Sequence, residues 1–490
     1  MYLAFDLGAS NGRGILGGFD GERLSLEILH RFENRPIELH GHYFWNILGL
    51  YENLKHCLLQ ASQESAQPVA SIGIDTWGCD FALLDKQGKL VSNPYAYRDP
   101  QTRGIFDIIF NRIPRQEIFH ATGLQFIEPN SLAQLFAMKR NQDPVLKAAE
   151  TFLMIPDLLH YWLTGQVACE YTDASTSQLM NIYSRSWDSN MIRLLDIPET
   201  WFPTIVPPGT ILGPLRAGLV TEVNLNQAQV IATATHDTAA AVAAVPVQKQ
   251  NYAYISSGTW ALLGMEIAKP LVTPACMAYN FTNEGGVYGK IRLLKNIANL
   301  WFLQESRYQW SLRGEDLTWD ELASMAREAT PFIAFIDPDD PEFLLPGDLP
   351  GRIQRFCQGS GQVVPQTKGE ILRVVLESLA YKYRFVLECC QALTGCPVEA
   401  LHIVGGGARN QLLNQFAANT ANLPVLAGPS EATAIGNILM QMVALGELGS
   451  LEQARELVRD SFEVDEYLPE QVQAWEDHYP RFLAVTGLSA

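Results

Sequence analysis

A chain of 490 residues, 47% hydrophobic and 18% charged, has apolar material for more than one core and is not a disordered polymer. Its net charge of −18 argues against a nucleic-acid partner, because phosphate backbones select basic faces. The charge still permits one nucleotide, held by backbone N–H groups and a metal ion.

The chain opens on an apolar strand, with no signal segment and no run of membrane-spanning length. The eight cysteines form no CxxC pair and read as buried free thiols. The expectation is a cytoplasmic protein with small-molecule ligands and no membrane partner.

Residues 2–19 read as strand, tight turn, strand. Ala9, Ser10, Asn11, Gly12 and Arg13 surround the bend and offer donors suited to phosphate oxygens. An ordinary hairpin with turn-forming Gly and Asn fits the same letters. Neither a P-loop nor a Rossmann fingerprint is present. Asp6, ending the first strand, is a candidate for magnesium through water.

A strand over 24–29 and a helix near 45–65 follow. Residues 69–85 again read as strand, polar turn, strand. Asp75, Trp77, Gly78 and Asp80 cluster there, an aromatic with carboxylates and a bare glycine, as sugar sites use. Structural roles for Trp77 and Asp80 compete with that reading. Residues 104–200 read as mainly helical, with His160 a packed helix residue, and the proline-rich 203–214 as a loop.

At the midpoint a β-branched run over 229–233 meets Ala234-Thr235-His236-Asp237 and an alanine-rich helix. A carboxylate at such a turn suits a general base, although the same residue suits a helix N-cap. Residues 251–266 echo the N-terminal hairpin and suggest a structural duplication. Residues 290–305 pass from strand to amphipathic helix, placing Asn296 and Gln304 about two turns apart. Residues 311–365 read as loop-rich and 369–393 as a long helix. A buried strand then runs into Gly405, Gly406 and Gly407, where a base or ribose can lie against backbone. Residues 429–437 start a helix of small residues suited to close packing.

The motifs DLGASNGR (6–13), GIDTWGCDF (73–81), YRDPQTR (97–103), THDTAAAV (235–242), SSGTWALLG (256–264), LKNIANLW (294–301), GGGARNQLLNQ (405–415) and PSEATAIGN (429–437) resemble the FGGY carbohydrate kinases. Within that family they are most similar to the members acting on L-rhamnulose. The resemblance spans nearly the whole chain. It implies an α/β fold of two ribonuclease H-like (actin-like ATPase) domains with a central cleft, bounded at 1–244 (sugar and phosphate) and 245–490 (nucleotide).

The implied reaction is ATP- and Mg²⁺-dependent phosphorylation of the 1-hydroxyl of L-rhamnulose. Asp237 is then the proton acceptor, and Gly78, His236, Thr238 and Asn296 hold the sugar. Ala9 to Arg13, Thr259, Gln304, Gly405 and Gly406 hold ATP, in a monomer or homodimer. Alternatives are a kinase for L-fuculose, xylulose or glycerol, or a non-catalytic sugar or nucleotide sensor on the same fold. Two positions depart from the family pattern. Asn11 stands where a small hydroxyl is expected, and Asn299 where glycine is expected.

Overall fold

The computed structural model describes residues 1–249, 251–345 and 347–488. The apolar run Tyr2–Leu7 forms β1, buried along its whole length. A strand with no polar face must be covered on both sides. β1 pairs antiparallel with β2 (Asn11–Phe19), and β2 with β3 (Leu24–Glu33). On its other side β1 runs parallel to β4 (Ser71–Thr76). Beyond β4 lie β5 (Thr210–Pro214) and β6 (Gln229–Ala232): β6 is parallel to β4, and β5 closes the edge antiparallel to β6.

The loop expected over 203–214 is therefore corrected, because Thr210–Pro214 is an edge strand. An edge tolerates Pro214, which has no N–H, and the register shift between Ile211 and Gly213 leaves Leu212 as the bulged residue without a partner.

Helix α1 (Ile47–Glu64) covers this sheet, its start capped by Asn46, whose side chain accepts the Gly49 N–H at 3.2 Å. Its buried residues Leu50, Leu54, Cys57, Leu58 and Ala61 recur at helical spacing. Each fully buried Leu there contributes about 2 kcal/mol. Helices α2 (Asp237–Ala243) and α3 (Ala432–Ala444) pack together. A Cβ on Gly436 would lie 1.8 Å from the Ala240 carbonyl oxygen, so the crossing needs glycine. The small residues of 429–437 thus do allow close packing.

The chain divides into two compact units. The first comprises Met1–Ala244, Glu266–Leu293 and Ala432–Ser461; the second comprises Val245–Met265, Leu294–Glu431 and Phe462–Ala490. The second is built on β7 (Tyr252–Ser257), β8 (Trp260–Ile267), β9 (Ile291–Ala298), β10 (Ala400–Val404), β11 (Val425–Ala427) and β12 (Asp465–Tyr467). Its strands run in the order β9-β8-β7-β10-β11-β12, and Thr282–Gly285 adds a seventh strand beyond β9. β7 is antiparallel to β8 and parallel to β10, β10 is parallel to β11, and β12 closes the edge antiparallel.

The first unit has the matching order β3-β2-β1-β4-β6-β5. An antiparallel meander beside two parallel strands is the ribonuclease H-like arrangement, and the chain contains it twice. The duplication suggested by the two hairpins is thus a repeat of whole sheets.

The loop-rich reading of 311–365 is also corrected. Trp319–Glu328 is a helix with a Thr318/Glu321 capping box, and Leu349–Gly359 is a helix begun by Asp348 and Pro350. Proline fits a first helical turn, where its missing N–H would have no partner. No helix among the described residues is long and apolar enough to cross a membrane.

Candidate active site

Three carboxylates meet where neighbouring strands of the first sheet end. Asp6 lies opposite Arg13 across β1–β2 and opposite Asp75 across β1–β4. Thr76 bridges to His236, the residue before Asp237. Ends of parallel strands are where open α/β sheets place ligands, because the loops there leave a crevice.

Asp6 is ion-paired with the Arg13 guanidinium. Asp75 is fully buried: its Oδ2 accepts from Asn437 Nδ2 at 2.6 Å, while its Oδ1 has no hydrogen-bond partner. Burial, then the negative charge of Asp6, pushes the Asp75 carboxyl well above the usual range. The ladder continues through α3. Gln441 Nε2 donates to Asn437 Oδ1 at 2.8 Å and to the Leu3 carbonyl at 3.1 Å, and Ser71 Oγ donates to Gln441 Oε1 at 2.7 Å.

Asp237 is the first residue of α2, and His236 occupies the N-cap position without a side-chain cap bond. The N-cap reading of Asp237 is therefore wrong by one residue. Its Oδ1 accepts from Thr238 N at 2.5 Å and Thr238 Oγ1 at 3.2 Å. His236 Nε2 stands 3.4 Å from the same oxygen. A third of the Asp237 side chain is exposed, so it is open on one side only. The poorly solvated surroundings, then Asp6, raise its pKa to about 7, against the Thr238 donors and Arg292.

Two buried groups lie behind His236. Arg292 on β9, with no exposed surface, donates to His236 Nδ1 at 2.9 Å and to the Gly285 carbonyl at 2.8 Å. It also pairs with Glu284 Oε2 at 3.1 Å. Burial, then Arg292, holds the His236 imidazole well below its ordinary pKa. Glu170 fixes the turn from another side. It accepts from Thr235 N at 3.1 Å, Thr235 Oγ1 at 2.6 Å and Thr172 Oγ1 at 2.5 Å, and Thr172 Oγ1 accepts from His236 N at 3.2 Å. Sequence reasoning missed Arg292, Glu284 and Glu170. The available signal was a charge inside an apolar strand, as Arg292 is in Ile291-Arg292-Leu293.

The first hairpin tip leaves Ala9 half-buried and Ser10 and Asn11 exposed, with Gly8 N donating to the Asn11 carbonyl at 2.9 Å. Asn34 anchors the tip by donating Nδ2 to the Gly8 carbonyl at 2.8 Å. Gly12 faces Phe32, whose ring would lie 2.4 Å from an added Cβ. Gly78 is half-buried against Thr176 Oγ1, 2.9 Å from an added Cβ.

Asp80 is not a sugar ligand. Its buried carboxylate already accepts from Trp45 Nε1 (2.6 Å), Trp77 Nε1 (2.8 Å), Gln134 Nε2 (2.7 Å) and Tyr97 N (3.1 Å). Trp77 is correspondingly packed in the core. Both residues brace the turn that presents Gly78. His160 is a buried helix residue, as expected.

In the second unit, Thr259 Oγ1 donates to Gln304 Oε1 at 3.3 Å, bringing two predicted nucleotide contacts together. Asn296 lies on β9 with a buried Oδ1 that has no hydrogen-bond partner. Asn299, where glycine was expected, ties the β7–β8 turn: Nδ2 donates to Ser257 Oγ at 2.9 Å and the Gly258 carbonyl at 3.1 Å. Tyr383 Oη donates to its Oδ1 at 2.6 Å. Within the glycine triplet, Gly405 has φ +83° and Gly407 packs so tightly that a Cβ would meet Ser257 Oγ at 1.8 Å. Gly406 alone is exposed, with nothing within 4 Å of an added Cβ.

Hard oxygen donors suit magnesium, which binds through one or two carboxylates, water and phosphate oxygens. Among the described residues no group of three His, Cys, Asp or Glu side chains could hold a metal alone. Asp6 with the unpartnered Asp75 Oδ1 beside it fits an ion that takes most of its ligands from elsewhere.

Residues 1–244 match the N-terminal domain, and residues 253–445 the C-terminal domain, of the FGGY family of carbohydrate kinases. A protein named rhamnulokinase from Bacteroides thetaiotaomicron is 45% identical over 98% of each chain. Another of that name from Halalkalibacterium halodurans is 40% identical over 95% of this chain and 98% of its own. Among solved structures, xylulose kinase from Lactobacillus acidophilus superposes with TM-score 0.81 at 16% identity, covering 99% of this chain and 98% of that one. Glycerol kinase of Plasmodium falciparum with ADP gives 0.79, also at 16%, covering 100% and 99%. With both family domains matched in order across most of its length, the chain belongs to the FGGY family of carbohydrate kinases.

Proposed function

We propose that this protein transfers the γ-phosphoryl group of ATP to the 1-hydroxyl of L-rhamnulose, giving L-rhamnulose 1-phosphate and ADP. The observation that carries the chemistry is Asp237, a carboxylate open on one side, with one oxygen engaged and a pKa raised to about 7. Such a group accepts the hydroxyl proton near neutral pH. The choice of sugar is supported by full-length relatives named rhamnulokinase at 45% and 40% identity.

In this reading Asp237 Oδ2 takes the proton while His236, Thr238, Gly78 and Asn296 hold the sugar. Ala9 to Arg13 hold the phosphates by backbone and side-chain donors. Thr259, Gln304, Gly405 and Gly406 hold the rest of the nucleotide. Asp6 and Asp75 are the residues that would hold the magnesium ion accompanying ATP, which supplies neutralisation of phosphate charge when bound. Phosphoryl transfer asks for positioning and charge compensation more than covalent chemistry, and these residues offer both.

The test is ATP consumption across L-rhamnulose, L-fuculose, D-xylulose, L-xylulose and glycerol. L-Rhamnulose is expected to give the highest kcat/KM. A higher value for another sugar refutes the substrate, and no turnover with any sugar refutes the enzymatic reading.

A further inference from the structure

Arg292 is buried without an exposed atom, yet it is aimed at a residue that faces the proton acceptor. Arginine has only donors, so the 2.9 Å contact makes His236 Nδ1 an acceptor. A neutral imidazole accepting at Nδ1 carries its proton on Nε2, the nitrogen 3.4 Å from Asp237 Oδ1. Around the ring the other facing groups are Glu284 Oε2, 3.5 Å from Nδ1, and Arg292, which pairs with that glutamate; Asp6 faces Asp237. Glu284 keeps the guanidinium in place, and the Gly285 carbonyl fixes its orientation through Nε.

We infer that Arg292 is a positioning residue for Asp237: it locks His236 in the Nε2–H tautomer, turning that N–H toward Asp237 Oδ1 and leaving Oδ2 for the substrate hydroxyl. The inference rests on Asp237 as proton acceptor in the proposed function. Oδ1 then accepts from the Thr238 N–H and the Thr238 hydroxyl, with the His236 Nε2–H 3.4 Å away as a third, longer contact. An acceptor fixed in this way loses no time or free energy to rotation before it takes a proton. With Nδ1 protonated instead, a lone pair would face the carboxylate and repel it.

The first measurement uses the native protein. With ¹⁵N-labelled histidine, the His236 signal is identified by its absence in His236→Gln, and its two nitrogens report the tautomer at pH 7.5. The proton is expected on Nε2. The second uses Arg292→Met combined with Glu284→Gln, which removes both buried charges together, with Arg292→Lys as the conservative variant. In the folded double variant the tautomer is expected to change, kcat to fall roughly tenfold and the sugar KM to stay within about threefold. Arg292→Lys is expected to recover most of kcat.

A proton on Nδ1 in the native protein overturns the inference, and does so whether or not the variants fold. An unchanged kcat in the folded double variant overturns it too. So does a raised KM with kcat retained, which would mean that Arg292 acts on sugar binding. Failure of the functional reading is visible separately, as native protein that phosphorylates no sugar.

Discussion

Asp237 has to be ionised to accept a proton, yet it sits in poorly solvated surroundings beside Asp6. With a pKa of about 7 its active form is lost in acid. Accordingly kcat/KM should fall about tenfold per pH unit below about 7 and level off above it, read from a pH–rate profile of the free enzyme. Asp237→Asn should lower kcat by about 10²–10⁴-fold. ATP affinity measured by calorimetry should be unchanged, and wild-type turnover in that variant would remove Asp237 as the acceptor. The residue was legible in sequence because a His–Asp pair interrupts an alanine-rich stretch after a β-branched run. Asp80 stayed open between a sugar contact and a structural role for a physical reason. Its partners Trp45 and Gln134 lie 35 and 54 residues away, so its saturated carboxylate is a product of tertiary structure. Arg292 was visible as a lone charge in a strand, but nothing local says that it faces His236.

At the scale of elements, the strand–turn–strand signatures were readable because β1, β4 and β7 are apolar runs bounded by Gly-rich turns. The edge strand over 210–214 was not, since its proline and glycine carry the same letters in a loop. The glycine triplet shows how one element divides its work. Gly407→Ala should be destabilising by about 1–3 kcal/mol, because its Cβ would overlap Ser257 Oγ. Gly406→Ala should leave the melting temperature unchanged, having open space, while raising the KM for ATP. Thermal melts with steady-state kinetics separate the two. Loss of stability in Gly406→Ala with ATP KM unchanged would mean that the triplet is purely structural.

Across the whole molecule, buried carboxyls dominate the dependence of stability on pH. Asp75, Asp157 and Asp173 are raised well above their ordinary values by burial, Glu170 and Asp237 to about 7, and Asp80 and Glu377 to about 6. The folded chain therefore binds more protons than the unfolded chain above pH 4, and stability falls as pH rises through the folded values. His160, lowered to about 4, and His236 oppose this, because their contribution grows as pH rises toward 6.5. Burial raises Glu284 as well, and eight carboxyls outweigh two imidazoles, so the ligand-free protein should melt at a higher temperature at pH 5.5 than at pH 8.0 by scanning calorimetry. Equal or reversed melting would mean that these carboxyls are ionised in the fold. The polar ladder from α3 into the first sheet has a different consequence, in time. The sheet's last strand in sequence ends at Ala232, whereas Asn437 and Gln441 are about 200 residues further along. A ribosome adding about 5–20 residues per second leaves the nascent first unit some 10–40 seconds without the helix that satisfies Asp75 and covers β1 and β4. During that interval the growing chain is most open to chaperones and proteases, and a message cut short after codon 431 would leave that gap permanent.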